Sequence, residues 1–306
     1  MKRIISSIAL LLAVSIPSYA CEMCGCSANS QYLGILPQFY KEFVGFQYQY
    51  TSFTAAQPSL IDRSDYERAH EFNNTLQLWG RYYVSKRVQL FAFVPYHINT
   101  GADADTRIDT KGIGDISILA NAVIIKDDKG NKPWQQTLLA GGGIKLPTGK
   151  YTGVTTLDAE GLPNVQAGTG SYDFIANTNY TIRHKRTGIN VDAAYTMTTA
   201  NSNHYKYGNH FNSGLVGFYW LQKGKFTLLP QIGARYEYTL HDYDNYERKW
   251  LNEVSGGSLV FGTIGIQSYY KQYGVRINYS VPLEQNYGGG YVTTNSRLET
   301  SIFFLF

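Results

Sequence analysis

Lys111-Gly112-Ile113-Gly114-Asp115-Ile116-Ser117-Ile118, together with the later stretch Gly143-Ile144-Lys145-Leu146-Pro147-Thr148-Gly149, decides the fold. Both read as strands. Following the first to Ile124, Ile116, Ile118, Ala120, Ala122 and Ile124 share one face, while Asp115, Ser117, Leu119, Asn121 and Val123 share the other. Strand side chains alternate faces with period two, so one face is apolar and the other more polar. A soluble sheet would explain one such strand. A whole chain of them predicts an all-β transmembrane barrel of the outer-membrane type, apolar toward lipid and polar toward its lumen.

Twelve alternating segments are legible, each near the length of a tilted bilayer crossing. The first is centred on Val44 to Tyr50. Asn74–Val84, Val88–Ile98, Ile113–Ile125, Gln136–Leu146 and Tyr172–Ile182 follow. Then come Gly188–Met197, Phe211–Leu221, Phe226–Leu240, Leu259–Tyr269, Gly274–Leu283 and Leu298–Phe306. Tight joints such as Ser85-Lys86-Arg87, His184 to Thr187, Gln222 to Lys225 and Lys271 to Tyr273 alternate with longer connections. The long ones are Thr54–Arg68, Asn99–Thr110, Thr148–Gly170, Thr199–Tyr207, Asp242–Gly257 and Glu284–Gly290. Short periplasmic turns alternating with longer extracellular loops are the outer-membrane pattern, and an even strand count leaves both termini periplasmic. A large soluble all-β protein would not need that alternation.

The chain opens on Lys2 and Arg3, an apolar run from Ile4 to Ile16, and Ser18-Tyr19-Ala20, which together read as a secretory signal over residues 1–20. Lipidation of Cys21 is the alternative, but a lipobox needs an aliphatic residue where Ser18 stands. Residues 21–38 read as a cysteine-rich periplasmic tail and linker, and 39–306 as the barrel. No apolar run is long enough for a membrane helix. With 26 Tyr and 30 Gly, the chain is rich in residues that suit the lipid–water boundary and a curved sheet. A net charge of +4, dispersed along the chain, argues against nucleic acid.

In the last segment Leu298, Thr300, Ile302, Phe304 and Phe306 share one face, and the chain ends on an aromatic residue. This resembles the terminal signal read by the barrel-assembly machinery, with Phe304 and Phe306 as its aromatics. The centre of the chain carries a second resemblance. Gly112-Ile113-Gly114-Asp115-Ile116-Ser117, Lys145-Leu146-Pro147-Thr148-Gly149 and Gly168-Thr169-Gly170-Ser171-Tyr172-Asp173 resemble a bacterial family of outer-membrane transport proteins. That family is named for the meta-cleavage pathway of phenol degradation. The resemblance covers Gly112 to about Ile182 and implies an outer-membrane channel for a small molecule or ion, without implying phenols.

Parity assigns Arg81, Asp115, Lys145, Asp173, Asp192, Arg235, Glu237, Arg276 and Glu299 to the lumen. Semi-buried charges of both signs seek partners, so an ion-pair lattice is the plainer reading and a substrate path the sharper one. Gly149 and Gly168 flank a long connection and serve its turns. All three cysteines fall in Cys21-Glu22-Met23-Cys24-Gly25-Cys26. Thiolates with a thioether suit Cu(I) or Zn, which would imply a periplasmic metal-handling partner, whereas an oxidising compartment equally suits a disulfide with one thiol left over. Met197, His204 and His210 lie near one outer loop and could assist. An outer-membrane phospholipase is the enzymatic alternative, through His210-Phe211-Asn212-Ser213-Gly214. Residues three apart on a strand face opposite sides, so Ser213 cannot hand its proton to His210. A closed structural barrel without transport is the remaining alternative.

Overall fold

A computed structural model describes residues 41–58, 66–102, 107–127, 133–151, 166–245, 248–251, 255–290 and 292–306. Alternating sequence becomes antiparallel strands throughout. In chain order these are β1 (Phe43–Pro58), β2 (Tyr66–Ser85), β3 (Val88–Ala102), β4 (Arg107–Ile113), β5 (Ile116–Lys126), β6 (Trp134–Leu146), β7 (Asp173–His184) and β8 (Thr187–Thr198). There follow β9 (Tyr205–Lys206), β10 (His210–Tyr219), β11 (Leu221–Lys223), β12 (Phe226–Thr239), β13 (Tyr243–Asp244), β14 (Lys249–Trp250), β15 (Gly257–Tyr270), β16 (Tyr273–Tyr287) and β17 (Val292–Leu305).

Twelve of these close a ring, each strand beside its neighbours in sequence, with β4 extending β5 along β3 and β11 extending β10 along β12. The ring shuts where β1 pairs β17, from Phe43 opposite Leu305 to Ala55 opposite Val292. Closure leaves no unpaired edge in the described ring across the apolar belt, which hydrocarbon requires. A small three-stranded sheet of β9, β13 and β14 sits at the long-loop end.

The period-two pattern holds around the wall. Ile118, Ile124, Leu215, Ile232, Ile264, Ile277 and Ile302 are exposed on the outer face. Aromatic residues border this belt: Tyr82, Trp134, Tyr270 and Tyr273 near the short turns, Tyr96, Tyr172 and Phe174 toward the long loops. Such girdles mark the two water boundaries of a membrane barrel.

Two expectations are corrected. Most of Thr54–Arg68 and Asn99–Thr110, and Glu284 to Tyr287 of Glu284–Gly290, is not loop, because β1 with β2, β3 with β4 and β15 with β16 continue as paired ribbons beyond the belt. Ile113–Ile125 is also not one strand. The Gly114 amide bonds Pro95 O at 2.8 Å, and a Cβ on Gly114 would come within 2.5 Å of the His97 ring. The chain therefore steps there, and Asp115 turns inward.

Candidate functional site

The barrel interior is the candidate site. All nine charged residues that parity assigns inward lie there: Asp115, Asp173, Arg276, Arg81, Glu237, Lys145, Glu299 and Asp192 are buried and Arg235 nearly so. They fall into separate groups rather than one lattice.

The first group is built from the three motif pieces. The step at Gly114 presents the Asp115 carboxylate to the connection following β6. Its Oδ1 accepts the Gly149 amide at 2.9 Å. Its Oδ2 accepts the Thr169 amide at 2.9 Å and the Thr169 hydroxyl at 2.8 Å. Lys145 Nζ lies 3.3 Å from Asp115 and 2.5 Å from Asp173, and donates to Thr169 Oγ1 at 2.6 Å. Ser171 donates to Asp173 at 3.0 Å. Two carboxylates thus share one ammonium, and hydroxyls and amides satisfy the remaining lone pairs, as burial of charge demands. Gly149 and Gly168 touch: a Cβ on either would come within 2.7 Å of the other's Cα. These glycines do more than permit turns, since they let two backbones meet over Asp115.

The second group lies across the barrel on β12, β16 and β17. Arg297 clasps Glu237 through two parallel bonds of 2.7 and 3.1 Å, and its guanidinium sits 4.4 Å from the Phe261 ring centroid. A planar fork on a carboxylate is the strongest geometry for such a pair. Arg235 stands 3.6 Å from Asp192, while Asn278 donates to Glu299 at 3.4 Å and Gln231 to Asn278 at 2.5 Å. Arg276 donates to Gln47 at 3.1 Å. Arg235, Thr263, Asn278, Arg297 and Glu299 line a cavity of about 20 Å³, room for about one water molecule. Arg297 escapes the sequence reading because that reading starts the last strand at Leu298; its shared parity with Glu299 is the signal for it.

Toward the short turns the interior changes character. Phe43, Trp79, Phe91, Phe93, Leu119, Phe218, Leu229, Tyr269 and Phe303 form a buried apolar cluster inside the ring. Trp79 meets Phe43 edge-on at 4.7 Å and stacks on Phe93 at 5.9 Å, and Phe303 lies 5.5 Å from Tyr269. Gly188 and Gly274 leave the hollows that the Phe218 and Phe303 rings fill. Arg81 sits at the edge of this cluster, 5.3 Å from the Phe43 centroid, with its Nη2 donating to Lys41 O at 2.5 Å. The expectation of a lumen-facing side polar overall is therefore corrected at this end, which is packed like a soluble core. At the loop end Phe53, Leu259, Phe261, Tyr287 and Val292 form a second apolar cluster.

Outer-face placement of Ile302 and Phe306 follows the predicted parity of the final strand. Ser213 and His210 fall on opposite faces of β10, and His210 Nδ1 lies 2.8 Å from Gly208 O, so no hydroxyl–imidazole pair forms between them. Met197 is exposed on the outer wall, away from the interior side on which His210 lies. Among the described residues no three His, Cys, Asp or Glu side chains gather as metal ligands. Cys21, Met23, Cys24 and Cys26 lie outside the described residues, as does the signal segment.

No family model and no curated protein matches the chain. A solved outer-membrane channel from Pseudomonas putida F1 aligns over 87% of this chain and 96% of its own, at TM-score 0.63 and 15% identity. The fold is that of an outer-membrane β-barrel. A NanC porin (12% identity, TM-score 0.42, 84% of this chain and 98% of that one) is also similar. So is the β domain of a Bordetella autotransporter (9% identity, TM-score 0.48, 87% and 100%).

Proposed function

We propose that this barrel sits in the outer membrane, with its short turns in the periplasm, and passes a small solute through a path that is closed at rest. The observation that carries the reading is the interior itself. A closed wall with an apolar outer belt surrounds buried, mutually paired charges, an arrangement suited to a water-facing lumen and costly elsewhere. Similarity to the P. putida channel and the three motif pieces support the same reading. The aromatic cluster at the short-turn end is the closure, since an apolar constriction excludes both water and ions. Neutralised charges favour neither cations nor anions.

Planar-bilayer conductance of the refolded chain tests this. The unaltered barrel should conduct rarely and in small steps. Trp79→Ala with Phe303→Ala should conduct in frequent, larger ones. Silence in both, with no swelling of solute-loaded vesicles, would make this a closed structural barrel.

A second reading concerns soft metals. Arg81 fixes the Lys41 carbonyl where the chain enters the barrel, so a tail carrying Cys21, Met23, Cys24 and Cys26 would begin at the closed mouth. There it would bind Cu(I) or Zn and exchange it with a periplasmic partner. A Cu(I) competition titration under reducing conditions, beside a variant with all three cysteines changed to Ser, tests it. Equal weak uptake by both would end this reading.

A further inference from the structure

Among the described residues, exposed charge is unevenly divided between the two ends of the barrel. Every short hairpin among the described residues carries exposed cations: Lys86 and Arg87 between β2 and β3, Lys185 and Arg186 between β7 and β8, Lys223 and Lys225 around the turn into β12, and Lys271 between β15 and β16. Exposed Lys41 and Lys126 lie at the same end. The acids described there are half-buried Glu42 and Asp127. At the long-loop end exposed Arg107, Lys111, Lys150, Arg248 and Lys249 are mixed with exposed Asp109 and Glu284, so the ends differ chiefly in their exposed acids.

Backbone geometry places two of these cations at the tips of their turns. Three hairpins place their first turn residue in the left-handed region: Lys185 at φ 52°, Gly224 at φ 60° and Lys271 at φ 55°. Glycine is the residue that suits this conformation, and one of the three hairpins has it. The other two hold a lysine there against the local preference. His204 and Arg248 are left-handed at the loop end as well, so the conformation alone does not single out the short turns; there it fixes the two lysines at the hairpin tips.

We infer that this basic ring binds the phosphate headgroups of anionic phospholipids in the leaflet that the short turns face. The cations sit on hairpins all around the circumference, as a lipid annulus would need, rather than on one side. Just above them, outward on the wall, stand Tyr82, Trp134, Tyr219, Tyr270, Tyr273 and Phe306, at the depth where aromatic rings meet headgroups. Long cationic side chains reach outward from such positions to the phosphate layer. The inference concerns the membrane contact and stands whether or not the barrel conducts.

Trp134, exposed on the outer wall, and Trp220, whose ring lies 4.6 Å from the Arg183 guanidinium, are reporters at this end. The full chain, reconstituted in phosphatidylcholine vesicles, is titrated with brominated phosphatidylglycerol or brominated phosphatidylcholine, and quenching of tryptophan fluorescence is read. The expected result is a preference of about fivefold or more for the anionic lipid, weakened by salt. It should fall by half or more in a variant carrying Lys86→Gln, Lys185→Gly, Lys223→Gln, Lys225→Gln and Lys271→Gly, which removes five of the nine cations. The two glycines relieve the left-handed positions, so the variant folds, and heat-modifiable gel migration checks that it does. Equal quenching of the unaltered chain by both lipids overturns the inference. So does an anionic preference that survives undiminished in the folded variant.

Discussion

The two halves of the barrel interior are filled by different physics. Toward the short turns, Trp79, Phe43, Phe93 and Phe303 interlock through ring contacts and exclude water. Toward the loops, Asp115, Lys145 and Asp173 on one wall and Arg297 with Glu237 on the other hold each other by charge-assisted bonds. Apolar packing leaves no unsatisfied polar group when rings separate. A buried ion group is satisfied in one arrangement and costly in others. Under the proposed channel reading, the first half would be the one to open and close, and the second would fix the shape around the opening.

Substitutions can break that division. The largest effect is expected from Trp79→Ala, which removes the ring joining Phe43 to Phe93. It should cost about 3–5 kcal/mol of stability and raise conductance, read by urea unfolding in vesicles and by bilayer recording. Lys145→Met should cost about 3 kcal/mol by leaving two buried carboxylates without their cation, with little change in conductance. Adding Asp115→Asn and Asp173→Asn to it should return most of the loss; a triple variant no better than the single would show that the charges are not the issue. Gly168→Ala should cost about 1–3 kcal/mol, because its methyl would meet Gly149 and the Asp115 carboxylate. Limited proteolysis should then cut faster between β6 and β7. Smallest is Thr263→Val, which breaks the 2.8 Å bond to Ser280 beside the small cavity and should cost about 1 kcal/mol. A conductance change larger than that of Trp79→Ala from any of the ion-group variants would reverse the assignment of the two halves.

Much of the fold was legible because outward positions obey one rule. Lipid contact demands apolar side chains at every second residue, so Ile116, Ile118, Val275 and Ile277 betray their strands. Inward positions obey no single rule. In β3 both parities are apolar around Leu90, Phe91, Ala92 and Phe93, so alternation says nothing about whether Phe91 lines a pore or fills it. The charged interior residues were found by parity, but their partners were not. Asp115 is satisfied largely by Gly149 and Thr169, which lie in a connection with no period to read. The paired extensions of β1 with β2 were missed because polar ribbons outside the belt have nothing apolar to alternate with.

The seam between β1 and β17 has a consequence for how the molecule comes into being. β1 is the first of the ring strands to be synthesised and β17 the last, yet they are neighbours, with the Phe306 amide bonded to Glu42 O at 3.0 Å. Until the final strand arrives, β1 keeps one side of its backbone unsatisfied, a state that hydrocarbon penalises at every exposed amide. Completing the wall therefore means joining the two ring strands most distant in sequence, a pairing slow by its topology.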